Sequence, residues 1–143
     1  MLRHTLATLS YRLGRALDGA SPDFGSFQAA GEGVRTPVVI LAHMSDLMDW
    51  ALRQANGSPE WTEAPPLAWD DEVARFHTAL AKFDARLAAG PVLCDENRLF
   101  QGPIADALTH TGQIALLRRI HGAPVKPKNY FKAEIASPPI SDT

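Results

Sequence analysis

One pattern recurs along this chain: apolar residues at alternating steps of three and four, each run closed by Gly or Pro. Leu2, Leu6, Leu9, Leu13 and Ala16 make the first run, which Gly19, Ser21 and Pro22 stop. The second carries two adjacent stripes, Ile40, Leu47 and Trp50 beside Leu41, Met44, Met48 and Ala51, and ends at Asn56-Gly57. Val73, Phe76, Leu80, Phe83 and Leu87 form the third, ahead of Gly90-Pro91. Such steps return side chains to one face of an α-helix at every turn, whereas no segment of any length alternates with the period of two that a strand requires. The fold class is therefore all-α. Helices are predicted over about 2–18, 36–55, 70–89 and 103–121, packed as one four-helix-bundle domain spanning 1–143. Thr36-Pro37 supplies N-cap and N1 of the second helix, Pro103 is placed at N1 of the fourth, and Gly122 supplies its C′ stop. The glycine-rich stretch 23–35 is long enough to cross the end of a bundle, so the first connection is read as a long crossover. Residues 91–101 are read as a connector. The C-terminus is read as an irregular tail ending in SPPISDT, a frayed terminus.

The fourth run breaks its own rule. Asp106, His110, Gln113, Leu117 and Ile120 keep the four-three step, so at about 100° per residue they fall within a stripe roughly 80° wide. Half of that stripe is polar. Asp106 and His110, at i and i+4, stack a carboxylate and an imidazole on one face, the spacing by which a helix offers two ligands to a metal ion. His43 lies inside the wide apolar arc of the second helix, where a buried imidazole needs a partner to offset its desolvation. Two histidines and a carboxylate would leave coordination positions open for water or substrate. The spacing leaves a second reading open, a polar core of His43, Asp106, His110 and Gln113 bonded to one another without metal.

The remaining polar residues read more simply. Asp46 and Asp49 fall off the apolar arc and are read as solvated, and Asp70, Asp71 and Glu72 as charges favoured at a helix N-terminus. His4 reads as a surface residue. His77 borders the third seam as a half-exposed packing residue or a partner behind the ligands, and Gln113 and Trp50 are further candidates for the pocket or that second layer. Trp61, in the proline-rich loop 57–67, is read as cover for a cavity mouth. Arg118, Arg119 and His121 suit the negative end of the last helix. With Lys126, Lys128, Lys132, Tyr130 and Phe131 they are read as a solvated end, not a nucleic-acid patch, because a net charge of −2 gives no overall basic footprint.

Composition narrows the classes further. A chain of 143 residues, 45% hydrophobic and 21% charged, is long enough to bury a sizeable core. Cys94 is the only cysteine, so thiolate zinc sites and C-x-x-C chemistry are excluded and a reducing, cytoplasmic setting is expected. Cys94 itself is read as a packing residue. No apolar run reaches the roughly 20 residues that span a bilayer, so no membrane partner is expected either.

ILAHMSDLMDWAL and DALTHTGQIALLRRIHGAPV, followed by NYF and AEI, resemble the DinB/YfiT-like superfamily over nearly the whole chain. The resemblance implies a four-helix bundle with three metal ligands, usually histidines: one on the second helix and an H-x-x-x-H pair on the fourth, just before Gly-Gln. His43 matches the first of these and His110, followed by Thr111, Gly112 and Gln113, matches the last. Asp106 stands where a histidine is commoner. A carboxylate hardens the site toward the two-histidine, one-carboxylate type, which suits a divalent transition ion such as zinc, nickel, iron or manganese. The resemblance also implies a small-molecule substrate, a low-molecular-weight thiol as cosubstrate, and pairing as a homodimer. Two functions follow as expectations. One is a metal-dependent transferase, isomerase or hydrolase that activates a thiol or water, with no general base visible in the sequence; the other is a non-catalytic metal- or ligand-binding bundle.

Overall fold

Each apolar run folds as a helix, because burying its stripe is the only way to remove that surface from water while keeping every backbone group bonded. A computed structural model describes residues 1–136, and the expected frayed segment SPPISDT lies outside them. The long helices are α1 (Leu2–Leu17), α3 (Pro37–Ala55), α4 (Trp69–Ala88) and α6 (Ala105–His121), with short helices α2 (Pro22–Gly25) and α5 (Glu96–Leu99) between them. No strand occurs among the described residues. Leu6, Leu9, Leu13, Leu41, Met44, Met48, Phe76, Phe83 and Ile114 are fully buried in one core.

α1 and α3 pack against the same two partners, α4 and α6, and so occupy opposite corners. The connection between them must cross an end of the assembly, as the length of 23–35 suggests. α2 anchors that crossing: Phe24 is buried and meets Trp69, at the start of α4, edge to face at 5.8 Å. Gly25 is required there because a Cβ would come within 2.7 Å of the Trp69 ring.

The last turn of α6 departs from the expectation of a wet, charged helix end. Arg118 is buried, and its Nη1 donates to the carbonyls of Ala16 at 2.7 Å and Asp18 at 2.8 Å. It thereby satisfies carbonyls that the end of α1 leaves without helical partners. His121 packs on Phe24 and Phe27, with ring centroids 5.6 and 4.8 Å away. Arg118 takes the inward position of the turn, while His121 stays exposed, as does Ile120, expected on the core stripe, at 56%.

The fourth helix also begins earlier than Pro103. The Asp95 carboxylate accepts from the Asn97 amide at 2.9 Å and caps α5, and five residues of wide π turn, Phe100–Ile104, join α5 to α6. Pro103 has no N–H and its ring would collide with the carbonyl four residues back in an α ladder, so the chain widens instead of breaking. The insertion reconciles two apolar phases. Leu99 and Ile104, five residues apart, are both buried, although five α-helical steps would set them about 140° apart.

Candidate metal centre

α3 presents His43 between Ile40 and Leu47, and α6 presents Asp106 and His110 one turn apart. Helix packing brings the three together, with one ligand atom from each lying within 4.8 Å of the others. His43 Nε2 is 3.4 Å from Asp106 Oδ2, and His110 Nε2 is 3.4 Å from Asp106 Oδ1. The imidazoles meet edge to face, with centroids 5.0 Å apart. A nitrogen–oxygen gap of 3.4 Å is long for a hydrogen bond. It matches the edge of a tetrahedron about an ion with ligands at roughly 2.1 Å, which is about 3.4 Å.

Gln113 partners His110. Its Oε1 lies 2.7 Å from His110 Nδ1, an arrangement that suits the tautomer with Nδ1 donating and Nε2 left free toward the cluster. Gln113 thus acts from behind the imidazole, as its place on the stripe suggested, although it is itself exposed. Gln113→Ala should weaken divalent-metal binding about 10–100-fold, and Gln113→Glu, which keeps an acceptor, should recover most of it. Competition against a chelating dye checks both, and an alanine variant matching the parent would remove this role.

The cluster is buried on one side and open on the other. The side chain of His110 is 8% exposed, His43 25% and Asp106 45%. Trp61 leans on His43 with centroids 5.7 Å apart, and Trp50 meets Trp61 edge to face at 5.9 Å. The two indoles form an aromatic wall from the cluster to a cavity of about 340 Å³ bounded by Trp50, Cys94 and Pro103. Among the described residues no fourth His, Cys, Asp or Glu joins the three.

His77 stands elsewhere. It is half-buried on α4 against Phe76, outside the cluster, and burial lowers its pKa, which is the packing role and not a place behind the ligands. Cys94 is half-buried, and burial followed by the Asp95 charge raises its thiol pKa, which disfavours the thiolate a nucleophile needs.

Sequence reasoning missed the network that carries Trp61. Asp46, read as solvated, is 4% exposed, and Glu72, read as a helix-end charge, is fully buried. Arg75 joins them: Nη2 donates to Asp46 Oδ1 and to Asp49 Oδ2 at 3.3 Å, and Nη1 to Glu72 Oε2 at 3.2 Å. Burial forces this pairing, since an unpartnered interior carboxylate would be far too costly. Glu72 also accepts from Ser45 Oγ at 2.9 Å and from the Leu67 amide at 3.1 Å, while Asp46 accepts from the Ala64 amide at 3.4 Å. The loop between α3 and α4 is therefore tied down by two carboxylates just beyond Trp61. Glu72 and Arg75 at i and i+3 were the one signal available.

No helix among the described residues is long and apolar enough to cross a membrane. Compared with protein-family models, with curated proteins and with solved structures, the chain finds no match.

Proposed function

We propose that the chain is a DinB-like four-helix bundle acting in the cytoplasm as a metal-dependent transferase, isomerase or hydrolase on a small molecule, with a low-molecular-weight thiol or water as the activated group. The observation that carries the reading is the approach of His43, Asp106 and His110 to one another, with Gln113 Oε1 against the far ring nitrogen of His110. These three side chains would hold the ion, and zinc, nickel, iron and manganese all suit two imidazoles and a carboxylate. A divalent ion there supplies Lewis acidity, lowering the pKa of a thiol or water so that a nucleophile exists at neutral pH. Asp106 offsets part of the ion's charge. His43 and His110 would hold the ion between α3 and α6, and Trp61, against His43, would shield one side from bulk water. A purely structural site would be expected to close with a fourth protein ligand, and the half-exposed Asp106 side favours an open position.

Metal analysis of protein purified without a histidine tag, then a screen of thiols and electrophiles with that metal restored, tests the reading. Expected is about one divalent ion per chain and turnover that chelator abolishes. Failure to retain any of the four ions after reconstitution would leave only a polar core. We further place the chain as a homodimer, supported by Leu116 and Ile120, each 56% exposed at i and i+4 on α6. Light scattering at micromolar concentration should give twice the chain mass of 15.5 kDa, and a monomer would remove this assignment.

A further inference from the structure

Several basic residues near the C-terminus, although exposed as expected, gather around one concavity. Lys126 and Lys128 of the tail meet Arg12 of α1 and Arg119 of α6 around one groove of about 370 Å³, and no carboxylate of the described residues lines it. None of the four forms an ion pair among the described residues. Outside the groove, among the described residues, Arg3 pairs with Asp84, Arg53 with Glu60, and Arg75 with Asp46, Asp49 and Glu72. The macrodipole of α6 accounts for Arg119 alone, because Arg12 lies within α1 and the two lysines lie beyond any helix. In a chain with 14 Lys and Arg against 16 Asp and Glu, four unmatched cations around one concavity are a local excess that the net charge does not explain.

The groove is also built. The Arg12 guanidinium lies over the Tyr130 ring, 3.9 Å from its centroid, and Tyr11 meets that ring edge to face at 6.2 Å. Arg15 Nη2 donates to the Lys126 carbonyl at 2.9 Å. The tail backbone is therefore docked on α1, which brings its lysines to the groove before any ligand arrives and lowers the ordering cost of binding.

We propose that this groove binds a small phosphorylated compound through its phosphoryl group. Two guanidiniums present forked donors that match phosphoryl oxygens, and two ammoniums add point charges for a multiply charged anion. The volume is within the range of small-ligand sites, about 300–1,000 Å³. Leu108 and Ala115 of α6 line the groove, on the side turned to α1, whereas Asp106 and His110 face α3. The site is thus separate from the metal reading and stands or falls without it.

Titration calorimetry of the full chain with sodium pyrophosphate, at constant ionic strength held by chloride, tests the proposal. Saturable binding at one site per chain is expected. Arg119→Gln with Lys128→Gln, both at exposed positions, should weaken it at least about tenfold, as loss of charge-assisted bonds implies, while Arg35→Gln, an exposed cation outside the groove, should not. Thermal melts of the variants report whether the fold is intact. Two further arms separate the sources of the anion: vesicles containing phosphatidylserine, and a single-stranded oligonucleotide. Binding by either that exceeds pyrophosphate binding and falls in the double variant would make the groove a membrane or nucleic-acid contact and overturn the proposal. So would the absence of saturable pyrophosphate binding, or equal binding by the double variant.

Discussion

Asp106→Asn should weaken divalent-metal binding by well over tenfold. The amide keeps nearly the shape of the carboxylate but loses its charge, and Asp106 is the only anionic member of the cluster. Its two oxygens each face a different imidazole at 3.4 Å, so neither histidine can compensate for it. Asp106→His should instead retain a metal, since it restores the three-histidine set that the resemblance implies. If Asp106 only orients an imidazole from behind, the asparagine variant should lose about 10–100-fold at most and the histidine variant should gain nothing. Stability gives an independent measure: an ion that binds only the folded chain at a hundred times its dissociation constant adds about 2.7 kcal/mol. Melting parent and variants with and without chelator therefore decides the matter. A parent insensitive to chelator, or an asparagine variant protected by metal as strongly as the parent, would take Asp106 out of the coordination set.

Glu72→Ala should cost about 3–5 kcal/mol of folding stability, the range for removing one partner of a buried ion pair. Glu72 is fully buried and accepts three hydrogen bonds, from Ser45, Leu67 and Arg75. Truncation leaves the Leu67 amide without that acceptor and returns Arg75 to Asp46 and Asp49 alone. Glu72→Gln fills the same space and should lose less. The damage should also reach the cluster, because Leu67 belongs to the loop that sets Trp61 against His43. Urea denaturation measures the first effect, and the Trp61 environment, read by fluorescence in a Trp50→Phe, Trp69→Phe background, measures the second. An alanine variant within 1 kcal/mol of the parent, a threshold well below the ordinary cost of an unpaired buried group, would show that the network is dispensable.

The helices were legible because their apolar steps are long and regular, so their bounds fell within a few residues of expectation. Asp106 and His110 were legible as a pair because a carboxylate and an imidazole one turn apart on a helix declare themselves by spacing alone. His43 was weaker, since a single imidazole on an apolar arc does not name its partner; the resemblance supplied one, and packing placed the two together. What stayed hidden was set by distance along the chain. Asp46 and Arg75 are separated by 29 positions, and Arg118 and Ala16 by 102, so nothing local distinguishes a charge that will be buried from one left in water. The π turn was hidden for a different reason. Pro103 after Gly102 carries the signature of a helix start, and only the need to bury Leu99 and Ile104 together overrides it.

The diagonal placement of α1 has a consequence for how the chain is made. Leu6, Leu9 and Leu13 are synthesised before the other long helices, yet α3, the next of them, is not their partner. Their cover comes from α4 and α6, and Arg118, which satisfies the last carbonyls of α1, comes later still. The nascent α1 must therefore wait with its leucines uncovered until α4 and then α6 have been translated, a situation that exposes apolar surface to neighbours and to chaperones. Closure at Arg118 is then a late event that joins α1 to α6.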